Sequence, residues 1–327
     1  MMDNSKITGM ICPIPISVSP EITMAHGGGG RLMNDLIGKI MLRAFSNPIL
    51  DSRHDGAVIE VGKGRLAFAT DSHVITPLFF PGGDIGALSV YGTVNDLAMC
   101  GAHSQWLTAS FIIEEGFAME TLWKVVVSMA EAASRTGISI VTGDTKVVDR
   151  GKGDGIYINT AGIGLIPEGI EIAPSRIREG DAVILSGDIG RHGIAVMAIR
   201  EGIELESTIQ SDLAPLDSMV NDLLIEKLDI HCMRDLTRGG LASGLNEIAS
   251  MTGSTIRIEE DLIPVQEEVQ GACEILGFDP LYVANEGRFV VILPHENAER
   301  AVEILRRHDN GQSARIIGFV EKPSYAD

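Results

Sequence analysis

Apolar residues recur along the chain with two periods, and the switches between them mark out its elements. Between residues 31 and 45, Leu32, Leu36, Ile40 and Phe45 are backed by Met33, Ile37, Met41 and Ala44 in a wide stripe that predicts a helix. Gly27, Gly28, Gly29 and Gly30 precede it and free the backbone N–H groups at its start to approach an anion. Residues 65–70 (RLAFAT) read as a short buried strand, which puts Asp71 at a strand end facing a cleft. A Phe80-Pro-Gly-Gly83 loop follows. Residues 85–102 then carry Leu88, Val90, Tyr91, Val94, Leu97 and Ala98 at helical spacing. Asn95 and Asp96 therefore fall inside a packed helix, where an amide and a carboxylate need partners. A divalent cation carried by a nucleotide would serve; the plain alternative is a helix N-terminal Asp and a surface Asn.

Residues 121–135 predict a second amphipathic helix, stopped by Gly137 and feeding a buried strand, 138–141 (ISIV). Thr142-Gly-Asp144-Thr-Lys146 comes next. Residues two apart in an extended segment face the same way, so Asp144 and Lys146 present a carboxylate and an ammonium together. That pair suits a metal-bound phosphate or forms an ordinary surface ion pair. Residues 156–166 read as a strand, and the proline-bearing, mixed-charge stretch 167–180 as a linker.

The second half repeats the order strand, glycine loop, helix in AVIL, SGDIGRHG and IAVMAIREG. Residues 217–227 are helical. Leu241, Leu245, Ile248 and Ala249 place Gly239 and Gly240 at a helix start, so Asp235, Thr237 and Arg238 crowd onto an anion-friendly terminus, where Asp235 or Thr237 could equally cap. Residues 281–284 and 288–293 read as two strands interrupted by Asn285-Glu286-Gly287, which makes Glu286 a candidate base or a turn residue. A helix at 297–307 and a strand at 314–320 end the pattern.

Composition narrows the function. A formal charge of −19 over 327 residues opposes nucleic-acid binding, and no basic stripe interleaved with aromatics is present. ATP stays compatible, because magnesium and a few local cations reverse the field inside one pocket. Cys12, Cys100, Cys232 and Cys273 form no close pair, so a reducing, cytoplasmic location is expected. No 18-residue apolar run exists, so no membrane span is expected, and residues 1–21 are expected to form an arm. His231 beside Cys232 lacks a second ligand pair at zinc spacing. Cys100, among small apolar residues, reads as a core thiol.

In order, AHGGGG, TDSHV, PGGDIG, GTVNDLAMCGA, GDTKVV, SGDIGRHG, RDLTRGG and NEGR resemble the aminoimidazole ribonucleotide synthetase superfamily. Within it they are most similar to the hydrogenase maturation family HypE. DSHVITPLFFPGGDIG and VTGDTKVV are the most specific pieces. The resemblance implies an α/β (α+β), PurM-like two-domain fold: an ATP-binding half (22–167) whose strands form a β-barrel across a homodimer, and an α+β half (175–322). ATP would lie between the halves. Asp71, Asn95, Asp96 and Asp144 would hold Mg2+ and phosphates, with Asp71, Asp96 and Asp144 as the metal ligands. Lys146 would meet the phosphate and the transferring oxygen. His26 and Gly27 to Gly30 would form a lid, Asp235, Thr237, Arg238 and Gly239 the opposite wall, and Glu286 the base; Lys146, Glu286, Asp96 and His26 would make up the catalytic set.

The implied chemistry is attack of an amide-type carbonyl oxygen on the γ-phosphate of ATP, converting a carbamoyl group on a cysteine thiol into a thiocyanate whose cyano group goes to the iron of a nickel-iron hydrogenase. HypF-like, HypC-like and HypD-like partners would follow. That family ends in a tail whose last residue is the carbamoylated cysteine, whereas this sequence ends EKPSYAD. The expectation is therefore that the thiol comes from a removed tail or from another molecule. Another amide-activating or small-molecule-phosphorylating enzyme of the superfamily, or a non-catalytic maturation scaffold, would also fit.

Overall fold

The computed structural model describes residues 30–36, 38, 57–61, 64–202 and 209–322. They belong to two compact units, residues 1–53 and 54–327. In the first, helix α1 (Gly30–Leu36) starts one residue before the stretch where the apolar stripe predicts a helix and overlaps its first six residues. His26 and Gly27 to Gly29 lie outside the described residues, and Gly30 is the first residue of α1.

The second unit opens with β1 (Ala57–Val61), β2 (Gly64–His73), a small hairpin of β3 (Phe79–Phe80) and β4 (Gly83–Asp84), α2 (Ile85–Met99), β5 (His103–Glu114), α3 (Met119–Thr136), β6 (Ser139–Val148) and β7 (Ile156–Ile166). β1, β2, β7, β5 and β6 lie side by side in that order. All neighbours are antiparallel except β5 and β6, whose parallel pairing is permitted by the α3 crossover.

Helix α2 sets the layering. Of its 15 residues 13 are buried, so it must be covered on every side. Val90, Tyr91 and Val94 pack with Leu107, Ile156 and Ile158 of the sheet and with Val125 and Met129 of α3. Its last residues, Ala98 and Met99, enter the core of the C-terminal half beside Ile184, Phe289 and Val291. Burying each such large side chain contributes about 1.5–3 kcal/mol. The helix starts where Asp84 Oδ1 accepts the Gly86 and Ala87 N–H groups at 2.7 and 3.1 Å.

The C-terminal half contains β8 (Asp181–Leu185), α4 (Arg191–Arg200), α5 (Asp217–Ile225), β9 (Cys232–Asp235), α6 (Gly240–Thr252), β10 (Thr255–Ile258), α7 (Glu267–Leu276), β11 (Phe289–Pro294), α8 (His295–Leu305) and β12 (Arg315–Glu321). Its antiparallel sheet runs β10, β12, β8, β11, β9. β8 and β11 are central and buried on both faces, which is why AVIL and FVVIL read as unbroken apolar runs.

Four expectations change. Asp71 lies within β2, which continues to His73, and not at its end. Residues 139–148, expected to begin in a buried strand, form an exposed edge strand with Val141 57% and Val147 68% accessible; only the preceding Ile138 is covered. β5 was not foreseen, because its polar residues interrupt the apolar run in HSQWLTASFIIE. Residues 281–284 are no strand: Pro280–Tyr282 is a turn of 3-10 helix, with Pro280 at its start. Cys100 is a core thiol as expected. His231 is fully buried, with Nδ1 2.7 Å from Asp181 Oδ2 and Nε2 3.3 Å from Asp229 Oδ2.

Asn95 ties the halves together. Its amide nitrogen donates to the carbonyls of Ala214 and Glu286 at 3.1 and 3.4 Å, and its Oδ1 accepts the Leu216 N–H at 2.8 Å. Asn95→Ala leaves those buried backbone groups unpaired, so we expect a loss of about 3 kcal/mol in urea unfolding. A loss below about 0.5 kcal/mol would show that the clamp contributes nothing.

Candidate active site

Strand alternation decides which predicted residues meet. Asp71 pairs with Thr160 across β2 and β7, on the face covered by α2. There its Oδ2 accepts the Thr93 hydroxyl at 3.4 Å, and Thr93 and Thr160 hydroxyls lie 2.7 Å apart. A side chain at Gly92 would come within 3.0 Å of His73 and 3.4 Å of Asp71, so its glycine lets β2 approach the helix. Asp96, half-buried, follows Gly92 and Thr93 by four and three residues, which sets it on the same flank of α2 as Asp71.

Asp144 and Lys146 are elsewhere. Asp144 is in register with Ser110, and Ser110 with Asn159, so these side chains share the opposite, uncovered face of the sheet. Lys146 Nζ lies 3.7 Å from Asp144 Oδ2, with side chains 73% and 65% exposed. The two do face the same way, but the expected metal triad of Asp71, Asp96 and Asp144 is not assembled within one chain. Period-two alternation puts Asp71 and Asp144 on opposite faces. Among the described residues no three His, Cys, Asp or Glu side chains are grouped to hold a metal ion. Asn95, expected among the groups holding Mg2+ and phosphates, has its polar atoms occupied by the backbone contacts above.

A second group forms where three C-terminal loops reach α2. β9 ends at Asp235 and leads through Thr237 and the exposed Arg238 to Gly239, which adopts φ +71° as the residue preceding α6. The turn 285–287 brings in Glu286, whose side chain is 16% exposed. Asp212, buried, accepts the N–H groups of His192, Glu286 and Gly287 at 3.1, 3.4 and 3.3 Å. A Cβ at Gly287 would collide with the Asp212 carbonyl, so only glycine permits this approach.

Charge is unbalanced here. Burial, followed by the carboxylates of Asp235, Asp212 and Asp71, pushes the Glu286 carboxyl well above its ordinary range, and Arg238 partly opposes them. Burial likewise pulls the His73 imidazole down, with Asp71 resisting and Arg238 reinforcing. Asp71, Asp235 and Arg238 are thus within electrostatic reach of Glu286. His73, His192, Ser211 and Asp212 were not foreseen. His192 was visible in SGDIGRHG, whereas Asp212 sits in SDLAP, a stretch with no motif.

An acidic pocket with a raised carboxyl has a group with increased affinity for a proton and can accept a cation that arrives with a phosphate ligand. Asp71 of β2 and Asp96 of α2 lie toward the same flank of α2, and a magnesium nucleotide asks for one or two protein carboxylates beside the phosphates.

Two family models match the chain: AIR synthase related protein, N-terminal domain, over residues 53–166, and AIR synthase related protein, C-terminal domain, over residues 178–326. The carbamoyl dehydratase HypE of Azotobacter vinelandii is 50% identical over 300 residues, covering 92% of this chain and 88% of that protein. The carbamoyl dehydratase HypE of Escherichia coli (strain K12) is 43% identical over 305 residues, covering 92% and 90%. Among solved structures, a HypE–HypF complex superposes with TM-score 0.84 at 47% identity, covering 88% of this chain and 93% of that one. The hydrogenase maturation protein HypE in complex with ATP superposes with TM-score 0.78 at 46% identity, covering 92% and 90%.

The raised Glu286 carboxyl fixes a pH dependence. A group whose folded pKa exceeds its unfolded value stabilises the fold fully below the unfolded value, near 4.5, and loses that contribution as pH rises through the folded value. Glu286→Gln cannot ionise, so its melting temperature should match wild type near pH 4.5 and exceed it increasingly toward pH 8. A constant difference across that range would place Glu286 in an ordinary environment.

Proposed function

The chain belongs to the AIR synthase related family, as a relative of the HypE carbamoyl dehydratases, and from that membership we propose that it is an ATP-dependent carbamoyl dehydratase of nickel-iron hydrogenase maturation. Identity of 50% over 300 residues to a named carbamoyl dehydratase carries this reading. The ATP complex of a 46% identical relative supports the nucleotide. The HypE–HypF complex of a 47% identical relative supports a HypF-like carbamoyl donor as partner. HypC-like and HypD-like proteins would receive the product. Among the described residues no helix is long and apolar enough to cross a membrane.

In the reaction, the carbonyl oxygen of an S-carbamoyl cysteine attacks the γ-phosphorus of ATP as the bond to the β-phosphate oxygen breaks, releasing ADP. The phosphorylated oxygen then departs as phosphate while the nitrogen loses its two protons, leaving S–C≡N. Glu286 is the base: it lies in a largely buried pocket that raises its proton affinity well above that of an ordinary carboxylate. Arg238, Thr237 and the N–H groups at the start of α6 face the phosphates, and Asp235 lines the same wall. Asp71 and Asp96 would hold Mg2+, which neutralises phosphate charge when bound.

Asp144 and Lys146 enter through a second copy. The face that carries them also exposes Phe68, Trp106, Ile112 and Leu165, 40–45% accessible each, beside the long bare edge of β6. Such a face and edge call for cover. Closing two of these sheets into one barrel, with β6 of one copy beside the β1–β2 edge of the other, would cover the face and set Asp144 and Lys146 beside the strand that holds the other copy's Asp71. Because edge pairing keeps the two faces apart, they would reach its phosphate around the end of that seam. Lys146 then meets the phosphate and the transferring oxygen. This supports a homodimer.

With ATP, Mg2+ and an S-carbamoyl-cysteine peptide supplied in trans, the peptide should lose one water as ADP forms, read by mass spectrometry. Lys146→Ala and Glu286→Gln should each lower the rate by about 100-fold. ADP formation with an unrelated amide but not with this peptide would indicate a different enzyme of the superfamily, and binding of the HypF-like partner without any turnover would indicate a scaffold. Trp106→Asp should yield a monomer in light scattering; a retained dimer would remove this face from the interface.

A further inference from the structure

The Pro-Gly-Gly turn, the serine at its back and one buried histidine form a connected chain that ends at Glu286. Pro81 O accepts the Ser211 N–H at 2.8 Å, and a Cβ at Gly82 would come within 2.8 Å of that same nitrogen, so the turn and Ser211 are fixed against each other. Ser211 Oγ accepts the Leu213 N–H at 3.0 Å and lies 2.9 Å from His192 Nδ1. The other ring nitrogen, His192 Nε2, lies 4.0 Å from Glu286 Oε1. Phe80 stands edge-on to the imidazole, ring centres 5.3 Å apart, and the His192 N–H is held by Asp212. The ring is 6% exposed and has little freedom to turn.

We propose that His192 is a positioning residue for Glu286: Ser211 donates its hydroxyl proton to Nδ1, which leaves the imidazole proton on Nε2, aimed at the carboxylate. A hydroxyl that accepts from the Leu213 N–H and donates to the ring uses both of its functions. Burial keeps the imidazole below its ordinary value against the pull of Asp212, so the ring is neutral and has a single N–H to direct. The 4.0 Å gap is one that closes when ligand binding tightens a site. With Nε2–H in place, the carboxylate oxygen Oε1 is held and the other oxygen is left for the substrate nitrogen. The charged groups facing Glu286 are Asp71, Asp212, Asp235 and Arg238, of which only Arg238 favours the carboxylate, so a directed donor is what this crowd lacks.

This rests on the dehydratase reading for its kinetic consequences, but the tautomer does not. Nitrogen NMR of the full chain carrying ring-labelled histidine, without substrate, should show His192 as the Nε2–H form, and Ser211→Ala should convert it to a mixture. The Nδ1–H form in wild type, or no change in Ser211→Ala, would overturn the proposal even if no turnover is found. In the peptide assay, His192→Phe should lower kcat by about tenfold with KM for ATP unchanged and move the acid limb of the pH profile upward. His192→Gln, whose amide nitrogen replaces Nε2, should retain kcat within about threefold. Equal losses in Phe and Gln variants that melt like wild type would make His192 a packing residue only.

Discussion

A helix with no free face governs this structure. α2 contributes hydrophobic residues to the first sheet along one side and to the C-terminal core at its end, and its Asn95 pairs with backbone of the opposite half. A buried amide of this kind is tolerated only while all of its partners stay in place. The distance between β2 and the loops at 211–214, 235–238 and 285–287 is thereby fixed, and with it the acidic pocket. Burial first, and then the crowding of Asp235, Asp212 and Asp71 around Glu286, raises the Glu286 carboxyl well above its ordinary range, a cost that the packing around α2 sustains.

The same geometry leaves the machinery divided. One face of the N-terminal sheet is covered by α2 and carries Asp71; the other is bare and carries Asp144 and Lys146. No rearrangement of side chains crosses a sheet. A reaction that needs all of them would draw Asp144 and Lys146 from a second copy whose edge strand lies beside the first and whose side chains reach the site at the end of that seam, and the apolar residues on the bare face would favour that association.

Much of this was legible in the sequence. The stripe in residues 85–99 and the runs AVIL and FVVIL announced buried elements, because burial on all sides needs unbroken apolar sequence. The glycine at 239 marked a helix start because a left-handed residue was needed there. β5 was hidden by its alternating polar residues, and β6 was misread because its apolar residues stay exposed among the described residues. Alternation showed that Asp144 and Lys146 share a side, but the side itself depends on register with β5, which only the fold sets. Asp212 and Ser211 carry no motif: their roles arise from backbone N–H groups that converge on them in space.

The division of the site between copies is tested most directly by mixing. Asp144→Ala and Glu286→Gln chains, each inactive alone, are unfolded together, refolded and assayed for ATP-dependent conversion of the S-carbamoyl-cysteine peptide. A site built from both copies predicts that mixed dimers regain activity, because one of their two sites then carries both native residues. Continued inactivity, with mixed dimers shown to form, would contradict the account and return the whole site to a single chain.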